Sequence, residues 1–203
     1  MLKLPKNGFT LVEMLVVISI LSLVGVLILT IFTRTLKGSN KSQIIGVIKQ
    51  NGQSVLENMD KTVRSADNVV CVSTPSSKSL VVVKSGIYTR YRFITSSGVN
   101  GLIQQDSPVK QIDPDTQKEE TDPQFVNRVC ADSDPLLSVP VILTDTNPKS
   151  GVSLENGLFS RDKSAGFRDT VRIKFDLKPG VSAPSVVAGQ IDPVTFQTTI
   201  QLR

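Results

Sequence analysis

Residues 8–13 read Gly8-Phe9-Thr10-Leu11-Val12-Glu13, and a long apolar run follows directly. From Met14 to Thr33, MLVVISILSLVGVLILTIFT, twenty consecutive residues carry no charge. As a helix rising about 1.5 Å per residue, such a run spans roughly 30 Å, the thickness of a bilayer's hydrocarbon core. The run predicts a transmembrane helix over about 9–33. Glu13, a carboxylic acid just inside its start, is the residue that needs a reason. On insertion scales such a charge is unfavourable by up to about 3 kcal/mol. Its place in the first helical turn offsets part of that cost, because the positive end of the helix dipole favours an anion.

A basic start followed by an apolar core also describes a secretory signal peptide. That reading fails on length and on the end of the run. A secretory core is about 7–15 residues long and ends in small residues at its cleavage site. Here the run is longer and ends in TIFTRTLK. The feature suited to processing lies before the run, at Gly8, where the lack of a side chain lets the backbone enter a narrow protease cleft.

The segment MLKLPKNGFTLVEML resembles the leader of type IV prepilins and pseudopilins: a short basic leader ending in Gly8, then Phe9, Thr10, Leu11, Val12 and Glu13, then an uninterrupted hydrophobic helix. The resemblance implies cleavage between Gly8 and Phe9 by a prepilin peptidase, N-methylation of Phe9, and assembly with other pilin or pseudopilin subunits into a helical filament. It also implies that Glu13 sets subunit register, by pairing with the new α-amino group on Phe9 of a neighbouring subunit. At about 4 Å and an effective dielectric near 20, that contact is worth about 4 kcal/mol before desolvation, the size of the insertion cost. A plain interfacial Glu on a membrane anchor is the simpler alternative. Family members often carry a proline near position 30; Thr30 stands there instead, so nothing forces a kink. Ser19, Ser22, Gly25 and Thr30 are small enough to let helices approach closely, and ordinary tolerance of small residues explains them nearly as well.

Beyond Arg34 the apolar residues Ile44, Ile45, Val47, Ile48, Val55, Leu56, Met59 and Val63 recur mostly in steps of three and four, the pattern of an amphipathic helix. No proline intervenes between Pro5 and Pro75, so the spacing predicts one helix over about 9–66. Gly38, Gly46 and Gly52 each weaken it by about 1 kcal/mol relative to Ala; they read either as flexible points or as positions that packing tolerates. From Val69 the pattern becomes that of strands: VVCV, SLVVVK, IYTRYRFI, GLIQQ, SVPVILT, TVRIKFDLK and VTFQTTIQLR are short and rich in β-branched residues. In IYTRYRFI the alternation puts Tyr88, Arg90 and Arg92 on one face, and Ile87, Thr89, Tyr91 and Phe93 on the other. Residues 106–124, with three prolines and many acids, read as a long loop.

The expected fold class is α+β. A long N-terminal helix, its first half transmembrane, packs on a C-terminal antiparallel sheet in the pilin manner. Residues 1–8 are expected to be a cleaved leader, 9–33 a membrane or filament-core helix, 34–66 its amphipathic continuation, and 67–203 a β-rich extracytoplasmic domain. Cys71 and Cys130 admit either a disulfide or two reduced, buried thiols. An anchor that places the domain outside the cytoplasm favours the disulfide. Closing so long a loop is worth on the order of 4 kcal/mol in the entropic account.

Composition narrows the function classes. The formal net charge is +5, of which Lys3 and Lys6 supply two, and the remaining basic residues are scattered. Sequence-specific nucleic-acid binding calls for a denser footprint with interleaved aromatics, and is not expected. The chain has no histidine, which removes imidazole metal sites and Ser–His or Cys–His nucleophiles. It has no phosphate-binding Gly-rich loop. The acidic stretch DPDTQKEETD fails as an EF-hand, because the sixth position counted from Asp113 is Lys118 and not Gly; it reads as a solvated loop, and Asp132–Asp134 are an equally weak calcium signal. No catalytic residue, metal site or cofactor is expected, and the chain is not expected to be an enzyme.

The function that follows is structural. The chain is expected in the bacterial cytoplasmic (inner) membrane, single-pass with its C-terminal domain outside, and after assembly in a cell-surface or periplasmic filament: a type IV pilus, a competence filament or a type II secretion pseudopilus. The bulky domain suits a minor subunit, and NGQSVLENMDKTVRSADNV with the terminal FQTTIQLR resembles the J/W-type minor pseudopilins. The alternative is a monomeric, membrane-anchored extracytoplasmic binding module.

Overall fold

The computed structural model describes residues 10–71, 77–112, 117–131, 140–163, 168–184 and 189–202. The long helix α1 spans Leu11–Arg64. Thr10 stands just outside its start, and Ser65 and Ala66 close it with bonds to Lys61 O (3.3 Å) and Val63 O (3.2 Å). Lys61 and Arg64 lie in the last turn, where cations complement the exposed carbonyls. The chain divides into two compact units, one ending at Ser42 and one running from Gln43 to the end. The first contains the apolar stretch of α1.

Among the described residues, the second unit is built from the remainder of α1, eight strands and a short helix. The strands are β1 (Asn68–Cys71), β2 (Ser79–Lys84), β3 (Ile87–Ile94), β4 (Leu102–Asp106), β5 (Val141–Ile142), β6 (Val152–Asp162), β7 (Thr170–Pro179) and β8 (Val194–Gln201); helix α2 (Asp122–Cys130) falls between β4 and β5. They form two antiparallel sheets, β1-β2-β3-β4-β5 and β6-β7-β8. Ser77 and Phe159 exchange backbone hydrogen bonds of 3.0 and 2.8 Å between the sheets, and Leu154 N donates to Gly101 O at 2.9 Å.

The core follows from the periodicity of α1. Ile48, Gly52, Val55, Met59 and Val63 are buried, one residue per helical turn. They meet Leu80, Val82, Tyr91, Phe93 and Ile103 from the first sheet, and Leu154, Phe159, Val171, Ile173, Phe175, Leu177, Phe196 and Ile200 from the second. The predicted alternation of β7 holds, with Val171, Ile173, Phe175 and Leu177 all buried. Aromatic rings organise the centre: Phe93 stacks on Phe159 at 4.3 Å and Phe175 on Phe196 at 5.3 Å between centroids. A polar tie crosses from helix to sheet, the Tyr91 hydroxyl donating to Asn58 Oδ1 at 2.8 Å.

Gly52 is neither a flexible point nor merely tolerated. A Cβ there would lie 2.2 Å from Phe196 Cζ, so the bare backbone is what admits the ring. At Gly46 and Gly38 a Cβ would meet nothing within 4 Å.

Several expectations are corrected. The stretch 106–124 is not all loop: Asp106 ends β4, and Asp122 begins α2. The entry to α2 carries its own signal. Thr121 precedes Asp122-Pro123, and Gln124 Oε1 accepts from Thr121 N (3.1 Å) and Oγ1 (2.8 Å), a capping arrangement at a helix start. The stretches from VVCV to GLIQQ pair antiparallel in chain order as β1-β2-β3-β4, and the later strands β6-β7-β8 form a second sheet where one sheet was expected. β6 was hidden because Glu155-Asn156-Gly157 reads as a turn; in the fold it is a register shift within a strand, with Gly157 giving room to the Phe93 ring. The strand expected in SVPVILT is reduced to Val141–Ile142 among the described residues. Alternation assigned Arg90 and Arg92 to one face of β3 without saying what meets it, and in the fold that face is covered. Both arginines are buried, because α2 covers that face.

Gly52→Ala is expected to force Phe196 aside and destabilise the domain by about 1–3 kcal/mol, while Gly46→Ala is expected to be neutral or to stabilise by up to about 1 kcal/mol; thermal unfolding of the two variants decides it. Burial pushes the Tyr91 phenol up to about 12. Its folded value exceeds the ordinary tyrosine value of about 10, so the stability it contributes is full below pH about 10 and is lost as pH rises towards 12. Tyr91→Phe is expected to remove that part of the alkaline unfolding transition, measured by denaturation at stepped pH with tyrosinate absorbance.

Candidate assembly and membrane segment

The start of α1 is built by a reciprocal exchange between Thr10 and Glu13. Thr10 N and Thr10 Oγ1 both donate to Glu13 Oε2 at 2.8 Å, and Glu13 N donates to Thr10 Oγ1 at 3.3 Å. Thr10 O accepts the first helical bond, from Met14 N at 3.2 Å. This is a capping box: Thr10 is the N-cap and Glu13 the third helical residue, each satisfying a backbone N–H that the helix leaves unpaired. The acid expected to wait for a partner therefore already has one within its own chain. Both of its bonds fall on Oε2, so the carboxylate keeps acceptor capacity at Oε1.

From Leu11 to Phe32 the helix is apolar around its whole circumference. Leu11 is 80% exposed, Leu23 69% and Leu29 68%. The mean hydropathy of its most apolar window is 3.0, and α1 is long and apolar enough to cross a membrane. The polar residues within it are satisfied locally. Ser19 Oγ donates to Leu15 O (2.8 Å), Ser22 Oγ to Ser19 O (2.9 Å) and Thr30 Oγ1 to Val26 O (2.8 Å). Such back-bonding lowers the cost of a hydroxyl in hydrocarbon, since the donor never goes unpaired. The helix runs through Thr30 without interruption. Around Gly25, whose Cβ position is open, Ser22, Val26, Leu29 and Thr30 border a shallow depression. Arg34 and Lys37 follow the last apolar turn.

Of the other residues singled out in the sequence, Gly8 and Phe9 lie outside the described residues, as do Asp113, Asp115 and Asp132–Asp134. Among the described residues no group of His, Cys, Asp and Glu is arranged to hold a metal ion. Cys71 and Cys130 form a disulfide, with their Cα atoms 5.6 Å apart. It links the end of β1 to the last residue of α2, far along the chain from Glu13. Thr10 is the residue that sequence reasoning missed, although Thr10-Leu11-Val12-Glu13 has the T-x-x-E form of a capping box.

Residues 4–29 match the family model of the prokaryotic N-terminal methylation motif. The match takes in Gly8, Phe9, Thr10 and Glu13 and ends within the apolar helix, so it covers well under half of the chain. No curated protein matches the chain, and no solved structure does. The molecule thus joins a prepilin-like N-terminal motif to a pilin-like α+β architecture, a long apolar helix followed by antiparallel sheets. That pairing points to membrane anchoring and to a structural role.

Thr10→Ala is expected to cost the first turn of α1 about 1 kcal/mol. In micelles it should speed amide exchange at residues 11–14 and leave the thermal unfolding of the C-terminal domain unchanged; a shift in domain unfolding would contradict a purely local cap.

Proposed function

We propose that this chain is a structural subunit of a type IV pilus-like filament or type II secretion pseudopilus. Prepilin peptidase cleaves it between Gly8 and Phe9, Phe9 is N-methylated, and the subunit assembles through its N-terminal helix. The observation that carries this reading is a combination. A methylation-motif match at residues 4–29 coincides with a helix apolar on every side, and one acid, Glu13, stands at its beginning. A helix with no polar face has no reason to stay in water; it is stable in lipid or among other apolar helices.

In this reading residues 1–8 are the leader, 9–33 the membrane and filament-core helix, 34–66 its continuation, and 67–203 the domain outside the cytoplasm. The cytoplasmic membrane holds the subunit before assembly, and afterwards the partners are other pilin or pseudopilin subunits. Contacts between identical helices at a fixed offset do not close on themselves, and so they propagate a filament. Glu13 acts twice: in the membrane it caps its own helix through Thr10, and in the filament its remaining acceptor capacity takes the Phe9 ammonium of a neighbour. The Thr10 bonds lower the cost of holding the acid in lipid before that partner arrives. The large domain and the long stretch of chain between β4 and α2 suit a minor subunit, one present at few positions along the fibre.

Mass spectrometry of the mature protein is expected to show a chain beginning at methylated Phe9. Replacing Gly8 by Val should leave the leader attached, and the filament should then lack this subunit. A mature chain that still begins at Met1 and remains monomeric in the membrane would instead identify an anchored binding module. Glu13→Ala should insert into the membrane normally yet enter filaments at least about tenfold less than wild type, the factor set by losing about 1.4 kcal/mol or more of pairing. Normal incorporation of that variant would remove the pairing from the account.

A further inference from the structure

The disulfide belongs to a different part of the domain from the main core. Leu80 and Val82 of β2 face α1, whereas Val81 between them points to the opposite side. On that opposite side the strand register places Cys71, Val81, Arg90 and Asp106 in one row across β1, β2, β3 and β4. Helix α2 lies over this row. Phe125 and Val129 are fully buried against Cys71 and Val81, forming a small apolar cluster separate from the one around α1. Tyr88 meets the Phe125 ring edge-on at 4.6 Å.

The row ends in a charge pair that α2 keeps dry. Arg90 Nε donates to Asp106 Oδ1 at 2.8 Å and Arg90 Nη2 to Oδ2 at 2.5 Å, with side chains 0% and 1% exposed. Carbonyls from the end of α2 supply further acceptors: Val129 O for Arg90 Nη1 (3.4 Å) and Ala131 O for Arg92 Nη2 (3.3 Å). Held on its own, α2 would not persist. Nine residues are too few for a stable isolated helix, and its apolar anchorage is small: Phe125 and Val129 fully buried, with Val126 and Cys130 half-buried beside them. Water competes for the ion pair beneath it, because a buried pair gains little over a hydrated one. The covalent bond from Cys130 to Cys71 tips this balance.

We propose that the Cys71–Cys130 disulfide is a redox-sensitive latch for a movable cover. Oxidised, it seats α2 on the sheet over Arg90 and Asp106. Reduced, α2 lifts, the ion pair hydrates, and the α1–two-sheet core remains folded. The chemistry is ordinary thiol–disulfide exchange. A dithiol's thiolate attacks one sulfur and expels the other as a thiolate; its second thiol then resolves the mixed disulfide. Two electrons pass to Cys71 and Cys130, which become two thiols, and the dithiol becomes a cyclic disulfide.

The test uses the full chain in detergent, treated with dithiothreitol and, separately, carrying Cys71→Ser with Cys130→Ser. Segment-resolved amide exchange is expected to rise at least tenfold over α2 on reduction, with β2, β6, β7 and β8 changed less than about threefold. Trypsin should gain a cut after Arg128, whose guanidinium is now held by Glu120 and by Val109 O. Reoxidation of the wild type should reverse both changes. Unchanged protection of α2 would overturn the proposal by showing that the bond holds nothing in place. Loss of protection throughout the domain, in the reduced wild type or the variant, would equally overturn it, since the disulfide would then be a staple of the whole fold.

Discussion

The domain depends on one contact stripe, where Ile48, Gly52, Val55, Met59 and Val63 of α1 are buried against two sheets at once. The sheets also meet each other, Phe93 of the first stacking on Phe159 of the second. A sheet whose apolar face stayed uncovered would leave a large hydrophobic patch in water. The helix supplies a cover, and the aromatic rings of Phe93, Phe159, Phe175 and Phe196 fill the space between. Packing at this density leaves no room for a methyl group at Gly52, which is why a weak helix former occupies the middle of an otherwise well-formed helix.

A second constraint acts at the other end of α1, where the surroundings are expected to be apolar and not aqueous. There each polar group must find its partner within the chain or in another subunit. The hydroxyls of Ser19, Ser22 and Thr30 use the preceding turn of the helix. Glu13 uses Thr10, at the one position where a helix offers unpaired N–H groups and a favourable dipole. The same two residues therefore begin the helix and make the one acid of its apolar stretch bearable. An acid one or two turns further along would have had neither the cap nor the dipole.

The outer face of the first sheet shows the reverse strategy. Instead of exposing Arg90 to water, the fold buries it and meets its needs with Asp106 and the carbonyl end of α2. Arg128 and Glu120 tie α2 back to its own loop, and the guanidinium holds Glu120 below the usual carboxylate range. A cover assembled from these few contacts is closed by a covalent bond, where the main core is closed by area alone.

The sequence by itself determined what depends on neighbours along the chain. The span of α1 could be read from twenty uncharged residues and a three-and-four apolar spacing, and β7 from strict alternation. The prepilin-like leader motif could be read because its parts are adjacent. Even the capping box was written in Thr10 and Glu13, since a helix brings residues three apart together. Tertiary structure decided what depends on partners distant in sequence. The split into two sheets, the burial of Arg90 and Arg92, and the demand for glycine at position 52 follow from elements contributed later in the chain: α2 and β8. Alternation assigns Arg90 to a face, but only a helix some thirty residues further on determines whether that face is wet or dry.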